Sequence, residues 1–167
     1  MSHTLNIAKA TSDNQLKAIE ALAETIWAEH YTPIIGAAQV SYMLEKFQSY
    51  PAMKHQIEQE NTLYFQLHAL SELVGYFAVK PTAEHLFLSK LYLASNARGQ
   101  GFAKQALDFI KRLANEHGLS TIVLTVNKYN HLAINAYQAL GFENVAEVVA
   151  DIGNGYIMDD FRLELHC

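Results

Sequence analysis

Between Leu88 and Leu107 the chain reads LSKLYLASNARGQGFAKQAL: an apolar run, a short polar turn, two glycines around a glutamine, and the start of an amphipathic repeat. A strand–turn–helix junction of this kind leaves backbone N–H groups unpaired at the positive end of a helix dipole, where an anion such as a pyrophosphate can sit. Two common phosphate loops do not fit. A Walker loop needs Gly-Lys-Ser/Thr, whereas Gly101 is followed by Phe102-Ala103. A dinucleotide fingerprint needs a third glycine where Lys104 stands, and it opens a βαβ unit, whereas this turn follows several strand-like segments. Taken alone, the turn reads equally well as an anion site or as an ordinary junction.

Composition limits what such a site can serve. The 167 residues are half hydrophobic and 17% charged, which fits one globular domain over residues 1–167 with a sizeable core. The net charge of −5 argues against nucleic acid as a partner and tolerates a cationic substrate. The single cysteine, Cys167, rules out an intramolecular disulfide and a tetrathiolate zinc site. The eight histidines show no His-x-x-x-His spacing, so no metal is expected. Met1-Ser2-His3-Thr4 lacks the basic and apolar runs of a signal peptide, and no apolar stretch approaches the ~18 residues of a membrane helix. The expectation is a soluble cytoplasmic protein with no membrane partner.

The elements that must position the turn follow from periodicity. Leu5–Ala8 alternates like a strand. Thr11-Ser12-Asp13 offers N-caps for a helix with Leu16, Ile19, Leu22, Ala23 and Ile26 on one face, and Thr32-Pro33 ends it. Gly36 opens a second helical pattern through Val40, Met43, Leu44 and Phe47, and Pro51 a third. Then the period becomes two: Leu63–Leu70 and Leu73–Lys80 form a hairpin around Ser71-Glu72, and Glu84–Leu93 is the next strand. After the glycines, Ala103, Ala106, Leu107, Ile110, Leu113 and Ala114 mark a helix, stopped near Gly118. A β-branched strand at Thr121–Val126, a helix from His131 to Leu140, and two strands, Phe142–Asp151 and Tyr156–Leu165, around Gly153-Asn154-Gly155 complete the chain.

Two motifs together resemble a known family. Arg98-Gly99-Gln100-Gly101-Phe102-Ala103 matches the Arg/Gln-x-x-Gly-x-Gly/Ala pattern of the GNAT superfamily of N-acetyltransferases, and it follows the Leu91-Tyr92-Leu93 strand end. Asn130 to Phe142, NHLAINAYQALGF, resembles that family's Asn-x-x-Ala-x-x-x-Tyr-x-x-x-Gly-Phe segment. One helix and one strand separate the motifs, as in the family, and the likeness covers roughly Leu63 to Leu165. It implies an α/β (α+β) fold with a mixed central sheet of about seven strands flanked by helices. It implies acetyl-CoA as co-substrate, held at its pyrophosphate by backbone N–H groups from Gly99 to Ala103. It also implies that Leu91 and Leu93, on either side of Tyr92, bind the pantetheine arm. Asn130 would bond the cofactor, cap the following helix, or do both. Tyr137 would serve as general acid. Lys104 stands near enough to add charge, and Arg98 either contacts phosphate or shapes the turn.

The chemistry of acetyl transfer asks for the same groups. An alkyl ammonium, pKa about 10, must lose a proton before it attacks, so a base or a water chain is needed. The developing oxyanion needs a donor, for which a backbone N–H near Leu93 serves. The leaving thiolate, pKa about 8.5, benefits from a proton that a tyrosine hydroxyl can supply. On the acceptor side the candidates are His30, Tyr31, Tyr42, Ser89 and Asp159. Asp159 and Asp160 alternate faces, so one points to a pocket and the other away. No carboxylate lies mid-strand between Glu84 and Leu93, which leaves a water-mediated histidine or tyrosine route as an equal alternative. The acceptor class expected is a small cationic primary amine. The alternatives are a peptide or protein N-terminus, and a non-catalytic acyl-CoA sensor. Family resemblance also admits a homodimer.

Overall fold

The computed structural model describes residues 4–167, so the leader question raised by Met1-Ser2-His3 lies outside the described residues. In chain order it has strand β1 (Asn6–Lys9), helix α1 (Asp13–Ile35), helix α2 (Ala37–Met43) running into a π turn (Leu44–Gln48), and helix α3 (Tyr50–Gln59). Strands β2 (Leu63–Ala69), β3 (Glu72–Pro81) and β4 (Leu86–Leu93) follow, then a 3₁₀ turn (Ser95–Ala97) and helix α4 (Phe102–Glu116). Strand β5 (Thr121–Asn127), helix α5 (His131–Ala139), and strands β6 (Glu143–Gly153) and β7 (Tyr156–His166) complete it. The strands form one seven-stranded sheet in the order β1-β2-β3-β4-β5-β7-β6. Every neighbouring pair is antiparallel except β4 with β5, so the sheet is mixed, as expected.

Strand alternation sends side chains to two cores, one on each face. Phe65, Leu67, Phe77, Leu86, Leu88, Ile122, Leu124 and Leu163 meet the apolar stripe of α4. Tyr64, Tyr76 and Ala78 face the other way, against Ile19, Ala23, Ile26 and Trp27 of α1, with Met43 and Met53. The second core contains a buried polar chain. Trp27 Nε1 donates to Tyr76 Oη at 3.1 Å, Tyr76 Oη donates to Gln48 Oε1 at 2.5 Å, and Gln48 Nε2 donates to Tyr64 Oη at 3.1 Å. These bonds let three large polar rings sit in a core without orphaned groups.

Local rules account for most boundaries and miss some. Ser12 caps α1 by accepting from Gln15 N, and Gln15 Oε1 reciprocates by accepting from Ser12 N at 3.0 Å. Thr32-Pro33 does not end this helix, which runs on to Ile35. Pro33 is exposed and lies in the last turn, so it removes a single hydrogen bond and its ring faces solvent, while Tyr31 and Ile35 pack on the second core. The β2–β3 turn is Leu70-Ser71 rather than Ser71-Glu72. Both residues take positive φ, 52° and 67°, because the twist of a two-residue hairpin selects that conformation over sequence preference. β4 begins at Leu86, not Glu84, because Thr82 Oγ1 accepts from Glu84 N and His85 N and folds them into a turn.

Two departures from regularity shape the middle of the sheet. Ala78 pairs with Lys90 and Val79 with Leu88, so Ser89 is an extra, bulged residue of β4. β4 and β5 pair only at Leu86–Ile122 and Phe87–Val123, after which no pairing joins them. A gap opens between the two central strands at the level of Ser89.

Candidate active site

The ladder explains what faces that gap. Ala94 N donates to Val74 O at 2.8 Å, which fixes the alternation along the β3–β4 pair. Tyr92 therefore bonds towards β3, while the N–H and C=O groups of Leu91 and Leu93 point the other way, where β5 has moved off. The bulge also shifts side-chain parity, so Leu88 and then Leu91 and Leu93 all lie on the α4 face, and Tyr92 lies on the α1 face.

β4 ends in the 3₁₀ turn and then the glycines. Gly99 and Gly101 have φ of 75° and 78°, and a Cβ at either would meet nothing within 4 Å, so the left-handed backbone itself selects glycine. Gly101 caps α4 without a side-chain bond, and the first turn holds no acidic residue. The first N–H groups of α4 are thus neither capped nor opposed by negative charge, which suits an anion. The Gln100 side chain bends back to donate to Asn96 O at 3.1 Å. Phe102 is buried and anchors the helix start. Lys104 is exposed and pairs with Asp108 at 3.8 Å, one turn along.

A cavity of about 530 Å³ runs from this turn into the gap. Its walls include Leu91, Tyr92, Leu93, Arg98, Gly99, Gly101, Phe102, Ala103 and Lys104 on one side and Leu124, Thr125, Val126, Asn130 and Tyr137 on the other. The structure thus gathers nearly all of the expected donor-side residues into one groove, with Gln100 turned away from it. Asn130 is buried, and it caps α5 by accepting from Ala133 N at 3.3 Å. Its Nδ2 also donates to His30 Nε2 at 2.9 Å, a contact between residues 100 positions apart that sequence could not reveal. This bond needs a neutral His30, and burial, aided by the nearby Arg98 charge, holds the imidazole below its usual range. Tyr137 packs edge-on to Phe142 at 5.5 Å. Burial raises its hydroxyl well above the usual phenol range, with repulsion from Tyr31 adding to it, so it keeps its proton at neutral pH.

A second cavity of about 210 Å³ lies on the α1 face. Trp27, Ile35, Met43 and Phe47 form its apolar wall, and Tyr31, Ser89, Tyr92 and Thr125 border both cavities. The two spaces therefore meet at the gap. Tyr31 and Tyr92 share a hydrogen bond of 2.9 Å there, and burial lifts Tyr31 to about 12. Ser89 Oγ donates to Ala78 O at 3.3 Å.

Two acceptor-side expectations land elsewhere. Tyr42 donates to Ile152 O at 2.8 Å and stacks obliquely on Tyr156 at 5.2 Å, clamping α2 to the β6–β7 hairpin outside both cavities. Asp159 lies on the α5 face, where Lys128 Nζ approaches it at 2.8 Å. Its neighbour Asp160 takes the α1 face, is only 4% exposed, and has a carboxylate oxygen, Oδ1, with no hydrogen-bond partner. Among the described residues no cluster of metal-binding side chains occurs, and no helix is long and apolar enough to cross a membrane.

Comparison with known proteins gives the same picture. The family model described as the acetyltransferase (GNAT) family matches residues 19–142. N-acetyltransferase family 8 member 2 of Rattus norvegicus is 29% identical over 92 residues, 52% of this chain and 41% of that protein. The chain thus spans about two fifths of the length of that curated relative. The naa20 catalytic subunit of the N-terminal acetyltransferase B complex of Schizosaccharomyces pombe is 24% identical over 137 residues, 80% of this chain and 72% of that one. Among solved structures, the PaiA N-acetyltransferase of Thermoplasma acidophilum in complex with coenzyme A superposes with a TM-score of 0.81 at 20% identity, covering 98% of this chain and 99% of that one.

Proposed function

Because the chain belongs to the acetyltransferase (GNAT) family, we propose that it transfers an acetyl group from acetyl-CoA directly to a primary amine. The observation that carries this reading is the gap between β4 and β5, where a long groove and a smaller cavity meet at Ser89, Tyr31, Tyr92 and Thr125. The residues present fit the co-substrate. The uncapped N-terminus of α4, with Gly99 to Ala103, holds the pyrophosphate, and Arg98 and Lys104 add positive charge beside it. The outward groups of Leu91 and Leu93 pair with the amides of the pantetheine arm as with an added strand. Acetyl-CoA supplies an activated acetyl thioester. Tyr137, which lines the groove and keeps its proton, donates to the departing sulfur. Burial and the Arg98 charge hold His30 neutral, and its bond to Asn130 braces the groove wall. No covalent enzyme intermediate is required.

The acceptor is a small cationic amine. The modest second cavity and the net charge of −5 support this choice. The likeness to an N-terminal acetyltransferase subunit supports a peptide N-terminus as the second reading. The test is CoA release, followed with a thiol reagent, across a panel of small primary amines and short peptides at saturating acetyl-CoA. Turnover with small amines and none with peptides is expected. Acetyl-CoA binding with no release for any acceptor identifies a sensor and refutes the transferase reading. Turnover confined to peptides moves the assignment to the second reading.

A further inference from the structure

Among the described residues, Asp160 is the one buried carboxylate, and the reaction as described does not use it. It sits on β7 directly opposite Asn127 of β5, and side chains of directly opposed residues share a sheet face. Met158, two residues before it, shares that face too. Asn127 and Met158 both line the second cavity, so Asp160 lies next to its wall, on the same sheet face as those two side chains. On the neighbouring strand β6 it faces Val148, which cannot hydrogen-bond it. Its Oδ1 has no partner, and it stands near enough to Tyr31 to raise that hydroxyl's hold on its proton. Lys128, which directly follows β5, is engaged with Asp159 and Glu147 on the opposite face.

A buried carboxylate lacking a partner is destabilising unless a donor arrives. Trp27, Tyr92, Met43 and Phe47 form much of the cavity wall, the neutral polar groups of Gln39, Ser89, Thr125 and Asn127 complete it, and no charged side chain lines it among the described residues. A ligand matching this arrangement has one ammonium group on a compact apolar frame. We propose that Asp160 receives the ammonium of the acceptor amine, directly or through one water, and takes its proton before attack. The inference rests on the transferase reading and names the acceptor class within it.

Proton accounting closes. The acceptor enters as R–NH₃⁺ and leaves as an amide with one N–H, so two protons depart from nitrogen. One passes to the Asp160 carboxylate and then to solvent. The other offsets the proton that Tyr137 gives to the CoA sulfur as the C–S bond breaks and the C–N bond forms. Nothing is oxidised or reduced.

The test compares two acceptors in wild type and Asp160→Asn: a compact alkylamine, charged at pH 7, and an alkoxyamine of similar size, neutral at pH 7. Isothermal titration of each amine into the protein saturated with CoA accompanies the kinetics. For the alkylamine, Asp160→Asn should lower kcat/KM by about 100-fold and weaken binding at least tenfold. For the alkoxyamine both changes should stay within about threefold. Equal losses for the two amines, or no loss for the alkylamine, overturn the role of Asp160. If wild type turns over neither amine, the small-amine reading of the acceptor fails, and the titration still decides whether Asp160 binds an ammonium group.

Discussion

Asp160→Asn should make the protein more stable, and only above a defined pH. Burial, with repulsion from Asp159 second, raises the Asp160 carboxyl from 3.8 to about 6. The folded state therefore binds this proton more tightly than the unfolded chain. The stabilisation from that proton is fully present below pH about 4 and is lost as pH rises through about 6. The interval from 3.8 to about 6 corresponds to about 3 kcal/mol at 1.36 kcal/mol per pH unit. Asparagine imitates the neutral acid in shape, but its amide also needs a partner, which reduces the gain to about 2 kcal/mol. The variant should thus melt about 4–8 °C higher at pH 8, and within about 1 °C of wild type at pH 4. Urea unfolding followed by the fluorescence of the buried Trp27 across pH 4–8 measures this directly. A difference that does not change with pH, or a variant less stable than wild type at pH 8, would refute the reasoning. A gain in stability joined to a loss in alkylamine turnover is the trade expected of a residue kept for function.

Three further outcomes follow from named contacts. Tyr137→Phe keeps the ring packed on Phe142 and should lower kcat about 100-fold while leaving acetyl-CoA affinity within about twofold; affinity lost with turnover per bound co-substrate unchanged would remove the general-acid role. Tyr76→Phe strands Trp27 Nε1 and Gln48 Oε1 in the second core and should cost about 3 kcal/mol in urea unfolding, whereas a loss under 1 kcal/mol would mean the buried chain re-forms around the ring. Replacing Leu70-Ser71 by Asn-Gly relieves two left-handed residues at an exposed turn and should add about 1 kcal/mol, read as a higher urea midpoint with an unchanged slope.

Much of this molecule is written locally. Glycines at 99 and 101, the apolar stripe of α4 and the Asn-Gly turn at Asn154-Gly155 each act over a few residues, so their types already specify backbone and helix face. The Asn130 cap and the placement of Tyr137 on α5 follow the same logic. Where local signals compete with packing, sequence misleads: Pro33 argues for a helix end, yet the tertiary contacts of Tyr31 and Ile35 carry α1 past it.

The sequence by itself determined the elements proposed to hold the donor: a glycine-bearing turn, a strand before it and a tyrosine-bearing helix after it, all set by short-range periodicity and backbone preference. Only the tertiary structure decided what surrounds the smaller cavity. The bulge at Ser89 and the parting of β4 from β5 depend on register across strands. The choice between Asp159 and Asp160 depends on which face of β7 meets α1 and which meets α5, and a two-residue alternation leaves that undetermined until the strand is paired. The His30–Asn130 bond and the Tyr31–Tyr92 bond join residues far apart in the chain. Contacts of that kind arise only when the sheet brings its two cores together, and the same pairing of strands sets a partnerless carboxylate next to the wall of the smaller cavity.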